Sequence, residues 1–131
     1  SLAVPYIQAA LTAPTHLELH DVPSGMMEEL VTQVVTAEGP IHLDEIVTRI
    51  REHWGLLRAG NRIRQAIARG VDISIKSGRL SKDGEFYSIP GAEIRVRDRG
   101  DALSLTLRKP EMLAPAEIQK AVIIFVAAHL G

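Results

Sequence analysis

Cysteine is absent from this chain. Its absence removes disulfides, thiolate zinc sites and cysteine nucleophiles together, and suits a reducing compartment. Long apolar runs are absent too. The most apolar stretch, from Ala121 to Ala128, falls well short of the roughly 18 residues that span a bilayer. The N-terminus has neither the basic start nor the apolar run of a signal peptide. A cytoplasmic protein with no membrane partner is the expectation. There is no Gly-x-x-x-x-Gly-Lys-Ser/Thr phosphate loop, no internal repeat and no low-complexity segment. Lysine and arginine do not occur in the first 48 residues, which carry seven acids.

What remains is ordinary globular material. The chain has 131 residues, 46% apolar and 24% charged, enough for one domain with a core of its own. It starts at Ser1 without a methionine and stops just after an apolar segment, which reads as a piece of a longer chain. Net charge is −1, but its distribution is lopsided. Between Arg49 and Lys82 nine basic residues face only Glu52 and Asp72, so that stretch carries about +7. A split of this kind is the electrostatic footprint of a nucleic-acid contact.

Hydrophobic spacing locates the elements. Residues 1–24 read as an irregular N-terminal arm, with a short helix around Tyr6, Ile7, Ala10 and Leu11 and a short strand at Leu17 and Leu19. A helix follows Ser24 or Gly25, with Met27, Leu30, Val31, Val34 and Val35 on one face and Glu28 and Glu29 in its first turn. Gly39-Pro40 ends it. After a residue or two of strand at Ile41, His42 and Glu45 have capping-box spacing before a helix from Leu43 to about Trp54. Trp54, Leu56 and Leu57 suit a core position at the following turn. A third helix runs from Arg58 or Asn61 to Lys76, with Ile63, Ile67, Gly70, Val71 and Ser74 inward and Arg58, Arg62, Gln65, Arg69, Asp72 and Lys76 outward. A start at Asn61 would leave Arg58 in the turn. Residues 79–89 then predict a hairpin around Asp83-Gly84 in a type I′ turn.

The order helix, short strand, helix, turn, basic helix, hairpin is that of a winged helix-turn-helix. The expected fold is therefore α+β, with a winged-helix core at 25–91. A C-terminal extension at 92–131 adds a second hairpin (Ile94–Arg99 with Leu103–Arg108) and a last helix from Pro115 to about Leu130, packed on or extending the core.

Several segments also resemble one family. They are Glu38-Gly39-Pro40-Ile41-His42-Leu43-Asp44-Glu45-Ile46, Trp54-Gly55-Leu56-Leu57-Arg58-Ala59-Gly60-Asn61-Arg62-Ile63, Gly84-Glu85-Phe86-Tyr87, Arg95-Val96-Arg97-Asp98-Arg99 and Leu113-Ala114-Pro115-Ala116-Glu117-Ile118. Together they look like an uncharacterised domain at the C-terminal end of large bacterial superfamily I helicase-like ATPases, where it follows the helicase core and a restriction-endonuclease-like domain. The resemblance runs from about residue 6 to the end. It implies a non-catalytic domain whose parent is an ATP-dependent helicase, with other domains of that parent as partners. It assigns no catalytic residue.

The residues themselves nominate a DNA contact: Arg58, Arg62, Gln65, Arg69 and Lys76 on the third helix, with Arg79 and Lys82 on the hairpin. Arginine and lysine there would neutralise phosphates while the helix enters a major groove. The plain alternative is a solvated helix face or ion pairs with the acidic N-terminal third, and Asp72 would repel phosphate. Arg95, Arg97 and Arg99 share one strand face, with Arg108 near them, and could form a second basic strip; because the resemblance covers them, pairing with carboxylates or with another domain of the parent is the favoured expectation. His16 and His20 are four apart but lack a third ligand, so no metal and no cofactor is expected. His42 reads as a helix cap, and no nucleophile stands at a recognisable spacing from a base and a carboxylate, so the chain is not expected to be an enzyme. The last helix, with Ile118, Ala121, Val122, Phe125 and Val126 on one face and Ile123 and Ile124 widening it, is either well buried or packs on a partner or a second copy as a homodimer, the latter being favoured. The competing functional reading is thus a protein-interaction or dimerisation winged helix that binds no nucleic acid.

Overall fold

In the computed structural model, which describes residues 3–130, the first apolar stripe becomes helix α1 over Ser24–Glu38, with Met27, Leu30, Val31, Val34 and Val35 all buried. Because α1 starts at Ser24, Glu28 and Glu29 lie beyond its first turn rather than in it. Strand β2 is Ile41–His42 and helix α2 is Leu43–His53. His42 caps α2, its Nδ1 accepting from the Asp44 amide at 3.0 Å. The reciprocal half of the expected capping box does not form, because Glu45 turns inward and is buried against Arg49.

Helix α3 covers Asn61–Lys76 and buries Ala66, Ile67, Gly70, Val71 and Ser74. It starts at Asn61, so Arg58 belongs to the preceding loop. That loop corrects a core expectation. Trp54 is half-buried and donates its indole N–H to the Leu17 carbonyl at 2.9 Å, but Leu57 is 96% exposed and Leu56 36%. The connection runs over the surface and packs inward only at Trp54 and Ala59.

Strands β3 (Ser81–Asp83) and β4 (Phe86–Ser88) make the first hairpin and join β2 in an antiparallel sheet of order β2-β4-β3. Asp83 pairs with Phe86, so the two loop residues are Gly84 and Glu85. Gly84 has φ +61°, and no described non-glycine residue has positive φ. A type I′ turn needs positive φ at both central positions, so the turn has the glycine-first pattern of type II′ instead.

The second hairpin does not form. Arg97–Asp98 is strand β5, but its partner is strand β1, Val4–Pro5, in parallel. Leu105–Arg108 is a 3₁₀ turn. The alternation at 103–107 encodes no buried face, since Leu103 and Leu105 are exposed and only Leu107 is covered. The arm differs from expectation as well. Residues 6–18 are irregular, held along α1 by contacts such as the Thr12 amide to Gln33, and Leu19 is buried in a 3₁₀ turn rather than a strand. Helix α4, Pro115–Leu130, closes the chain. The described residues form a mixed α+β fold with four α-helices and two small sheets.

The core lies where α1, α2 and α3 meet, around Val31, Val34, Ile46, Ile50 and Ile67. Gly70 lets α1 and α3 close in. A Cβ there would stand 2.5 Å from Met27 Cγ and 3.3 Å from its carbonyl carbon. Gly70→Ala is therefore expected to destabilise the fold by about 1–2 kcal/mol, because overpacking outweighs the roughly 1 kcal/mol gain in helix propensity. Urea unfolding measures it, and a more stable variant would show that the helices are not in contact there.

Candidate nucleic-acid interface

Amphipathic spacing turns one face of α3 to the core and leaves Arg62, Arg64, Gln65, Arg69, Asp72 and Lys76 exposed on the other side. Arg58 in the loop before α3 is exposed, as are Arg79 and Lys82. Every candidate residue thus reaches the surface. No described residue forms an ion pair or a side-chain hydrogen bond with Arg58, Arg62, Arg69 or Lys76. Arg62 and Arg69 are seven residues apart on α3, about 10 Å along its axis. The first turn of α3 contains no acid and Gly60 supplies no side-chain cap, so its amide dipoles add to the positive end of the surface.

Other cations of the +7 stretch are already engaged. Arg49 is buried and bound to Glu38 and Glu45. Arg64 pairs with Asp44 at the start of α2. Arg79 reaches α1, 2.8 Å from Glu29 and 3.7 Å from Glu28. Its hydrogen bond to Glu29 holds that carboxyl below the usual range. Lys82 lies over the Tyr87 ring, 5.9 Å from its centroid. The acidic N-terminal third therefore takes Arg49, Arg64 and Arg79, and leaves Arg62 and Arg69 of α3 without a partner among the described residues. Asp72 sits between Arg69 and Lys76 on the helix, so the purely basic part of the face is its N-terminal half.

The second polar feature is internal. Glu38, fully buried at the end of α1, accepts from Arg49 Nε and Nη2, each at 2.7 Å, from the Tyr6 hydroxyl at 2.7 Å and from the Ala9 amide at 2.8 Å. Arg49 also donates to Glu45 at 2.9 Å, and Thr106 donates to the same carboxylate. Burial and the negative charge of Glu38 push the Tyr6 phenol upward. Burial opposes the charge on Arg49, but Glu38 and then Glu45 outweigh it and raise its pKa. Next to this group Glu117 of α4 accepts from Arg97 at 2.7 Å and from both Nη atoms of Arg99 at 2.7 and 2.8 Å. Arg97 also caps the end of α1 through the carbonyls of Glu38, Gly39 and Pro40. The Tyr6 ring covers both guanidinium groups, 4.9 and 5.0 Å from its centroid.

Arg97 and Arg99 thus pair with a carboxylate, as the resemblance implied, while Arg95 stays exposed beside Glu93. Glu38, Arg49 and Glu117 were not singled out by sequence reasoning. A signal existed for two of them. Glu38 continues the Leu30–Val34 stripe at helical spacing, and Arg49 lies four residues after Glu45. Such positions are core positions whatever the side chain.

Among the described residues no group of three or more histidine, aspartate or glutamate side chains could hold a metal ion. No described helix is long and apolar enough to cross a membrane. No curated protein and no solved structure matches the chain. Residues 18–65, from the 3₁₀ turn before α1 to the first turn of α3, match the model of a family described as a protein of unknown function (DUF3320), and that stretch is similar to this family.

Proposed function

We propose that this chain is a non-catalytic accessory domain that contacts DNA as a winged-helix module, with α3 as the recognition helix and the β3–β4 hairpin as the wing, in the service of a larger helicase-like ATPase. The observation that carries the reading is the set of exposed cations without a partner among the described residues, Arg58, Arg62, Arg69 and Lys76, on and beside one helix face. The neighbouring Arg64 and Arg79 are held by acids, so the cations available to an anionic ligand are concentrated at these four positions. Recognition helices work through their N-terminal residues, which here are Arg62, Gln65 and Arg69, ahead of Asp72. Lys82 would add a backbone contact from the hairpin. Arg79 would serve mainly to hold the hairpin on α1. The other domains of the parent would supply the motor.

Fluorescence anisotropy with a labelled duplex tests the reading. Four phosphate contacts give a slope of log K against log salt of about −3.6. Reversing Arg62 and Arg69 to Glu together is expected to weaken binding by about ten- to a hundredfold and to flatten the slope by about 2. Wild-type chain that shows no binding at low salt, or a double reversal that binds as the parent does, would sink the proposal.

A further inference from the structure

Helix α4 leaves the protein after its second turn. Glu117 is buried, and Lys120, Ala121 and Ile124 are half-buried, but from Phe125 to Leu130 every residue is exposed. Ile118, Val122, Ile123, Phe125, Val126 and Leu130 each expose two-fifths or more of their surface. Ile118, Val122 and Phe125 form one seam at i, i+4, i+7, and Ile123, Val126 and Leu130 form a second beside it. Together they cover a mainly apolar arc of about 160° on the side away from the body, with Gln119 and His129 as its uncharged polar members.

We propose that α4 pairs with α4 of a second copy of this chain, antiparallel across a two-fold axis. Charge favours a like partner. Between Ile118 and Leu130 the only formal charge is Lys120, which lies on the half-buried side. A charged partner would find nothing to pair with on this arc, whereas a second copy presents the same uncharged surface. Antiparallel pairing centred between Ile123 and Ile124 sets Lys120 opposite Ala127 of the other helix, so the two lysines do not meet. The net charge of −1 puts little repulsion between whole chains.

The area is of the right order. Six large apolar side chains exposed to this extent offer several hundred Å², against about 800 Å² per partner in a standard interface. The helix also borders a groove of about 390 Å³ lined by Val96, Leu113, Ile118, Ala121, Val122 and Phe125. Such a groove suits an aromatic anchor from the facing helix, and Phe125 of the second copy is the one available. Self-pairing is isologous, so two seams are closed at once and the assembly stops at two.

Light scattering and sedimentation of this chain across the micromolar range test the proposal. A mass twice the 14.3 kDa of one chain is expected at the upper end, falling on dilution. Phe125→Glu, and separately Ile123→Lys, should raise the dimer dissociation constant about thirtyfold or more. Both sites are exposed in the single chain, so the circular dichroism spectrum should not change. Leu57→Glu, at another exposed leucine, should leave the dimer intact. A single-chain mass at every concentration overturns the proposal, with the face then belonging to a different occupant. Open-ended assembly overturns it too, as does a dimer that survives both α4 substitutions.

Discussion

Replacing Glu38 by Ala is expected to cost about 3–5 kcal/mol, a large share of the roughly 5–15 kcal/mol that holds a domain of this size. The carboxylate is fully buried and satisfies three groups, the Arg49 guanidinium, the Tyr6 hydroxyl and the Ala9 amide. Its loss strands a cation with 4% exposure beside Glu45 alone and leaves a half-buried phenol without its acceptor. The penalty is chiefly that of uncompensated burial rather than of a lost attraction. Hence Glu38→Leu combined with Arg49→Met should recover only part of the single-variant loss, since buried Glu45 then loses its own cation. Urea unfolding of the two singles and the double forms a cycle that isolates the coupling. A Glu38→Ala loss below about 1 kcal/mol would mean that water reaches the cluster.

Glu117→Gln should have an effect of similar size but a different character. Burial tends to raise the Glu117 pKa, but the hydrogen bonds and charges of Arg99 and Arg97 outweigh it and bring it down from 4.5 to about 2. A carboxyl whose folded pKa lies below its unfolded one stabilises the fold above the unfolded value and loses that contribution as pH falls towards the folded one. The wild-type chain should accordingly lose about 3 kcal/mol between pH 4.5 and pH 2 through this group. In Glu117→Gln that portion of the acid dependence should vanish, while stability at neutral pH drops by about 3–5 kcal/mol because Arg97 and Arg99 stay buried without their anion. Glu117 joins the start of α4 to β5 and, through Arg97, to the end of α1. Hydrogen exchange should therefore quicken first in β5 and the first turn of α4, with the amides of α1 and α3 last to open. An unchanged acid profile in the variant would contradict the assignment.

These two clusters explain how the arm and the C-terminal segment belong to the helical core. Tyr6 hydrogen-bonds Glu38 and lies over Arg97 and Arg99, and Thr106 donates to Glu45. The formal charges balance, three glutamates against three arginines, so the seam between the pieces is ionic yet neutral. Ion pairs fix geometry more narrowly than apolar contacts do, because guanidinium and carboxylate meet as two planar forks. The DNA proposal gains from the same arrangement. Cations spent internally are Arg49, Arg97 and Arg99, while Arg62, Arg69 and Lys76 of α3 stay at the surface without an ion pair among the described residues.

Sequence alone determined the elements with a strong period. The apolar stripes of α1, α2 and α3 set those helices nearly to the residue, because a face repeating every 3.6 positions is a local property that burial only amplifies. The stops at Gly39-Pro40 and Gly55, the proline opening α4 and the Asp83-Gly84 hairpin were local as well. The outward arginines of α3 were legible for the same reason, since to name the buried face is to name the exposed one. Tertiary structure decided everything that depends on which distant groups meet. The alternation at Ile94–Arg99 could not say that its strand partner is Val4–Pro5 rather than Leu103–Arg108, because a period of two identifies a strand and not its neighbour. Nor could it show that Glu38, Glu45 and Glu117 lie inside. A carboxylate is buried only where an arginine from another element arrives to pair with it, and that arrival is a property of the folded chain.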